Sequence, residues 1–308
     1  MSETPSNTKP HVAAPDDAHR VACLEVWGGN QPVETAASLA GLDLWVFSQP
    51  HGGGEDGGDV HLVSSCANGV ISRVLLADVA GHGASADEKA QILRRIMRRY
   101  ANQIGPERFL AHINRAFEAQ SGDNDFATAV VCTFVASTRE LTVALAGHPP
   151  ALRYHAARRS WSSVGADDDA DNLPLGLLAD GGYSQRAGRL APGDMLLCYT
   201  DAWIEADTPS GQQLGVAGLL DIVSAMDCED PNTFLPRLRH AFLDRVQRDA
   251  ALDNDDATLL LLRATGHQGS WVNRLLSTGR MLGAMVNALR PGGPPIPWPE
   301  WADAGPRR

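Results

Sequence analysis

Nowhere in this chain of 308 residues do about 18 apolar residues run together, so the sequence offers no membrane-spanning helix. It starts MSETPSNTKPHVAAPDDAHR, polar and proline-containing, with neither a charged start nor an apolar stretch behind it. A disordered lead is expected there, not a secretory signal. The five cysteines, Cys23, Cys66, Cys132, Cys198 and Cys228, form no C-x-x-C pair and are odd in number. Four of them sit among apolar residues, as reduced core thiols of a cytoplasmic protein would. Positive charge is scarce: 26 Lys and Arg against 37 Asp and Glu leave a net charge of -11. That is the wrong sign for a nucleic-acid partner and is compatible with binding divalent cations. Lysine occurs only at positions 9 and 89, and no G-x-x-x-x-G-K-[ST] phosphate loop exists. No G-x-S-x-G nucleophile elbow is present either, and no internal repeat.

What is present is a series of β-rich runs at 42–48, 60–66, 70–77, 127–136, 140–146, 150–154, 194–199 and 257–263. Helical periodicity marks 86–102, where Ile92, Ile96 and Tyr100 recur at four-residue steps, and then 106–119, 214–226 and 231–248. The runs 42–48/60–66/70–77 and 127–136/140–146/150–154 follow one another too closely for crossover helices. They predict antiparallel meanders with helices packed outside, an α+β chain. Residues 155–172 read as a mobile loop with acids at its tip: Asp167, Asp168, Asp169 and Asp171. Domain organisation follows: 1–39 as a lead, 40–266 as the folded unit, and 267–308 as an amphipathic helix with a proline-rich tail. In that tail Trp271, Leu275, Leu282, Met285 and Leu289 share roughly one helical face. From 268 to 308 five Arg face two acids, 5 - 2 = +3 on an acidic protein. A homodimer or a regulatory partner could dock on such a helix.

The stretch LLADVAGHGASADEKA, 75–90, spells G-x-G-x-x-A from Gly81 to Ala86. A dinucleotide site would need a second strand ending in an acid about 20 residues on. That position falls in RRYANQIGPERF, a helix end and a helix start, so the fingerprint fails. Asp78 is the more telling residue. It ends a buried strand, where a carboxylate needs a partner or a metal to offset its desolvation. Asp59 before the strand from Val60, Asp201 after PGDMLLCYT, and Asp255 and Asp256 before ATLLLLR repeat that situation. Carboxylates at four strand ends, without a His or Cys cluster, predict an all-oxygen site for Mg²⁺ or Mn²⁺.

In this order the motifs GGD (57–59), ADVAGHG (77–83), AGHPP (146–150), LPLG (173–176), PGDMLLCYTDAWIEA (192–206), LGVAGLL (214–220) and DDATLLLL (255–262) resemble the PP2C-type metal-dependent protein phosphatases. The resemblance is to their bacterial sporulation and stress-response branch and spans about 40–265. It implies an αββα sandwich, two antiparallel sheets between helical layers, with two Mn²⁺ or Mg²⁺ ions at one edge. Carried onto this sequence, Asp78 bridges both metals, and Val79 offers its carbonyl to one of them. Asp59 serves that same metal largely through water, and Asp201 and Asp255 complete the other. Asp255 takes precedence over Asp256 because it matches the first aspartate of a D-[DN]-x-[ST] motif. The implied activity is hydrolysis of phosphoserine or phosphothreonine on a phosphorylated regulatory protein of the anti-anti-sigma kind, by a metal-bridged hydroxide. His82 is a candidate acid for the leaving oxygen, and His148 is expected to order a turn near the site. The chain departs from the family pattern in carrying Ala202 where glycine usually follows the third aspartate. A catalytically inactive phosphoprotein-binding scaffold is the alternative from another functional class.

Overall fold

The computed structural model of the chain describes residues 19–21, 25–66, 69–81, 84–101, 105–122, 125–165, 172–247, 255–266 and 301–302. In chain order the strands are β1 (His19–Arg20), β2 (Val26–Gly29), β3 (Val33–Leu39), β4 (Leu42–Gln49), β5 (Asp59–Cys66), β6 (Ile71–Val79) and β7 (Ala127–Val135). They continue with β8 (Glu140–Ala146), β9 (Ala151–His155), β10 (Ser160–Val164), β11 (Gln185–Arg189), β12 (Met195–Tyr199), β13 (Ala257–Ala264) and β14 (Trp301–Ala302). The helices are α1 (Ala84–Tyr100), α2 (Pro106–Glu118), α3 (Ala202–Glu205), α4 (Gly215–Ser224) and α5 (Phe234–Leu243).

One sheet runs β1-β3-β4-β13-β12-β9-β10 and the other β11-β8-β7-β6-β5-β2-β14. All pairings are antiparallel except the short edge pairs β1–β3 and β14–β2. Strand alternation assigns each side chain to a layer. Val74 and Leu76 of β6 meet Leu196 and Cys198 of β12 between the sheets. Leu75, Ala77 and Val79 face the other way, under α1 and α2. Met195, Leu197 and Tyr199 lie beneath α4 and α5. The αββα order of layers therefore follows from period-two patterning on strands that are covered on both faces.

Every expected strand run forms, but not every expected pairing does. The runs at 42–48 and 60–66 lie in different sheets, as do those at 140–146 and 150–154. Short connections are compatible with crossing the sandwich as well as with a hairpin. Here Gly52 and Gly53, both at positive φ, and Gly147 at φ 63 let the chain turn out of one sheet into the other. The folded unit also reaches upstream of residue 40, because β2 and β3 belong to the two sheets. The segment 155–172 is not one loop: Ser160–Val164 pairs with β9, while 166–171, with the four aspartates, lies outside the described residues. In α1 the buried stripe is Ala86, Ala90, Leu93 and Met97 with Ile96, and Ile92 and Tyr100 pack only at its flank. Cys66, Cys132, Cys198 and Cys228 are free thiols. The helix expected after 267 lies outside the described residues. Among them, no helix is long and apolar enough to cross a membrane.

Candidate metal centre

Asp59 and Asp78 are directly opposed across β5 and β6. Opposed residues in an antiparallel pair carry Cβ atoms about 4.5–5.5 Å apart, and like charges there destabilise the pair. By alternation, Asp59 shares the face of Val63 and Asp78 that of Leu76, so both carboxylates belong to the layer between the sheets. They lie at the end where β12 delivers Asp201 and where Asp255 and Asp256 precede β13. The four predicted strand ends thus converge on one end of the sandwich, two from each sheet.

Burial and mutual repulsion dominate the electrostatics. Asp59 is held well above the usual carboxylate range, first by burial and then by Asp78 and Asp256. Asp78 is raised likewise by burial, then by Asp201, Asp255, Asp256 and Glu205. Asp201 is pushed up to about 6 by burial, Asp255 and Glu205. Oδ2 of Asp59 accepts a hydrogen bond from Thr200 Oγ1 at 3.0 Å, tying the two sheets together. Its Oδ1 is buried and has no hydrogen-bond partner. An orphaned carboxylate oxygen beside other carboxylates is costly by itself and fits a cation. Among the described residues no three His, Cys, Asp or Glu side chains close into a cage. The acids act on one another through space, and water molecules have to complete any coordination shell. This all-oxygen donor set suits Mg²⁺ or Mn²⁺.

The adjacent acids Asp255 and Asp256 both act on Asp78 but differ in their hydrogen bonds. Asp256 is buried, and its Oδ1 and Oδ2 accept from the backbone N–H groups of His51 and Gly58, both at 2.8 Å. It holds the turn in front of Asp59. Asp255 is exposed, caps the Asp256 N–H at 2.9 Å, and acts on Asp78 and Asp201. A Cβ on Gly57 would lie 2.4 Å from Asp256 Oδ1, and one on Gly58 would lie 3.1 Å from the Val79 carbonyl oxygen. The GGD motif therefore has no room for side chains. Asn30 clamps the same turn, donating to the Gly57 carbonyl at 2.9 Å and to Asp87 of α1 at 3.0 Å, while Arg94 donates to Asn30 Oδ1 at 2.9 Å.

His82 lies outside the described residues. His148 is buried and joined to Thr128 Oγ1, on the register partner of Asp78, at 2.8 Å. Burial lowers its pKa to about 3, so it is neutral and orders the β8–β9 turn. Gly81 has φ 101, as the turn into α1 requires. Lys89 pairs with Asp125 at 2.6 Å, anchoring the approach to β7 on α1. Sequence reasoning missed Glu205, Asn30 and Thr200. Glu205 had a signal: it follows Asp201 by four residues in TDAWIEA, the spacing that brings two side chains together on one helical turn.

Residues 72–265 match the family model for stage II sporulation protein E (SpoIIE). The phosphoserine phosphatase RsbU of Bacillus subtilis is 26% identical over 191 residues, 62% of this chain and 55% of its own length. The chain thus spans about half of that curated relative. Among solved structures, the RsbU and RsbW domains of a Mycobacterium tuberculosis protein superpose with a TM-score of 0.65 at 24% identity, over 78% of this chain and 64% of that one. The PP2C phosphatase domain of Bacillus subtilis SpoIIE with a fragment of its regulatory domain gives 0.61 at 16% identity, over 72% and 63%. These likenesses identify the αββα architecture as the PP2C fold.

Proposed function

The chain belongs to the SpoIIE family, and from that premise we propose that it is a metal-dependent protein serine/threonine phosphatase. Its substrate would be a phosphorylated regulatory protein of the anti-anti-sigma kind. One observation carries the reading: carboxylates from both sheets meet at one end of the sandwich, with Asp59 Oδ1 buried and unpartnered opposite Asp78. Asp78 would bridge two cations, helped by the Val79 carbonyl and, largely through water, by Asp59. Asp201 and Asp255 would complete the second position. Two such cations, when bound, acidify water and screen the charge of the phosphoryl oxygens.

The protein's own residues set up that chemistry. Asp256 and Asn30 fix the Gly57–Gly58 turn, so that Asp59 enters its strand at a set height. Thr200 holds one oxygen of Asp59 and leaves the other for the site. Asp201 opens α3, whose Trp203 is buried against Phe47 and Phe242 and keeps the carboxylate at the strand end. His82 is retained as a candidate acid for the leaving oxygen.

Hydrolysis of p-nitrophenyl phosphate with Mn²⁺, with Mg²⁺ and with EDTA, run beside Asp78→Asn, tests the proposal. Activity should require metal and fall by about 10²–10⁴-fold in the variant, the equivalent of several kcal/mol of lost charge stabilisation. Neither turnover nor Mn²⁺ uptake in the unaltered protein would leave the phosphoprotein-binding scaffold as the better reading.

A further inference from the structure

The end of the sandwich away from the carboxylates has a charge character of its own. In the β6–β7 register Thr128 lies opposite Asp78 and Val135 opposite Ile71. The β7–β8 turn is therefore seven residues, about 23 Å, from the acids. A cavity of about 410 Å³ opens there, lined by Arg139, Arg153 and Arg189 with Thr138, Ser137 and Asp194 among its walls. We propose that this cavity is a binding site for a compact phosphate-bearing anion, separate from the metal centre and independent of the function assigned to it.

One of the three arginines, Arg153, is paired within the protein, and the other two are left for a ligand. Asp194 is buried and already satisfied: Oδ2 accepts from Arg153 Nη2 at 2.9 Å and Ala191 N–H at 3.1 Å, and Oδ1 from Ala156 N–H at 2.9 Å. Arg153 also donates to the Arg189 carbonyl, so its guanidinium is fixed in place. Its Nε is nevertheless buried without a partner. Arg139 and Arg189 form no side-chain hydrogen bond or ion pair among the described residues. Glu140, the register partner of Arg189, is engaged by Thr138 Oγ1 at 2.9 Å. Asp194 supplies one counter-charge, to Arg153, for three guanidiniums around the cavity. Arg139 and Arg189 repel one another unless a further anion joins them, and the planar N–H forks of arginine match phosphate oxygens.

The backbone fixes where Arg139 is presented, in a hairpin turn like that of Arg159 at φ 50. Arg139 occupies the left-handed region at φ 57, where glycine or asparagine is the ordinary choice. Its N–H donates to the Val135 carbonyl at 2.7 Å, and its carbonyl accepts from Leu190 N–H at 3.0 Å, which holds the strained turn. The lining carries no aromatic ring on which a base could stack, which favours phosphate or pyrophosphate, free or on a small organic carrier, over a nucleotide.

The test is calorimetric titration of the full chain with inorganic phosphate, pyrophosphate and glycerol phosphate in EDTA, so that no cation at the other end can recruit the anion. Saturable binding is expected. It should weaken about tenfold or more in Arg189→Ala and in Arg139→Gly, the loss of one charge-assisted contact. Arg139→Gly also relieves the positive φ, so its fold is kept and a loss of binding reads on the guanidinium. A preference for pyrophosphate over glycerol phosphate would identify an inorganic ligand, and the reverse an organic one. Absence of saturable binding, equal affinity in both arginine variants, or loss of binding in Asp78→Asn would overturn the proposal.

Discussion

Strand β12 has an aspartate beside each end, and the two stand in opposite circumstances. Asp194, before Met195, is buried with all its needs met by Arg153 and two backbone N–H groups. Asp201, just past Tyr199, is among other carboxylates, and burial with Asp255 and Glu205 raises its pKa to about 6. The neighbours Asp255 and Asp256 differ in a related way: both act on Asp78, but Asp256 alone takes the backbone N–H groups of His51 and Gly58. If Asp201 and Asp255 hold metal as proposed, residue type and burial do not separate a structural aspartate from a functional one. What separates them is whether the fold itself supplies the counter-charge and hydrogen bonds.

Exchanging the two ends of β12 tests this contrast most severely. Asp201→Asn should lower metal-dependent turnover by about 10²–10⁴-fold and leave the metal-free protein at least as resistant to urea as before. Asp194→Ala should do the reverse, costing about 3–5 kcal/mol in urea denaturation through the stranded Arg153, with turnover per folded molecule retained. If Asp194→Ala unfolds no more readily than Asp201→Asn, the division between the two ends is wrong. A smaller effect is expected from Asp256→Ala, which frees the Gly57–Gly58 turn. Mn²⁺ affinity should weaken by about 10–100-fold, as it does when the support of a ligand is removed.

The acid end should also be visible in the pH dependence of stability without metal. A carboxylate whose folded pKa is raised binds its proton more tightly in the folded state. Asp201 thus contributes stability that is fully present below about 3.8, its unfolded value, and lost as pH rises through about 6. In EDTA, the melting temperature of Asp201→Asn minus that of the unaltered protein should therefore climb between pH 4 and 6 and level off above. A flat difference across that window would mean that Asp201 does not feel the acids around it.

Much of this was legible in the sequence, for identifiable reasons. Strands covered on both faces leave long apolar runs, and acids at their ends stand out against them, so β5, β6, β12 and β13 and their four aspartates could be read directly. Pairing could not, because a short connection such as 50–58 permits either a hairpin or a crossing of the sandwich. The strands β10 and β11, SWSSV and QRAGR, were invisible because neither has a buried residue. The choice between Asp255 and Asp256 rests on which backbone N–H groups lie within reach, and those come from residues some 200 positions away. Asn30 and Thr200 are hidden for the same reason, since their roles arise from contacts across 57 and 141 residues.

The smallest effect concerns Ala202, where the family resemblance leads to an expectation of glycine. Glycine after Asp201 would be indispensable only if the backbone there needed a positive φ. Ala202 is instead the first residue of α3, it is not among the positive-φ residues, and its methyl group is buried in the cluster that holds Trp203 and Phe47. The alanine therefore fits without strain and fills space that glycine would leave open. Ala202→Gly should lower stability by about 0.5–1 kcal/mol, through the extra freedom of glycine in the unfolded chain, and leave turnover unchanged. Higher turnover in that variant would show that the methyl group restrains the carboxylate beside it. The strand end would then be tuned by packing as well as by charge.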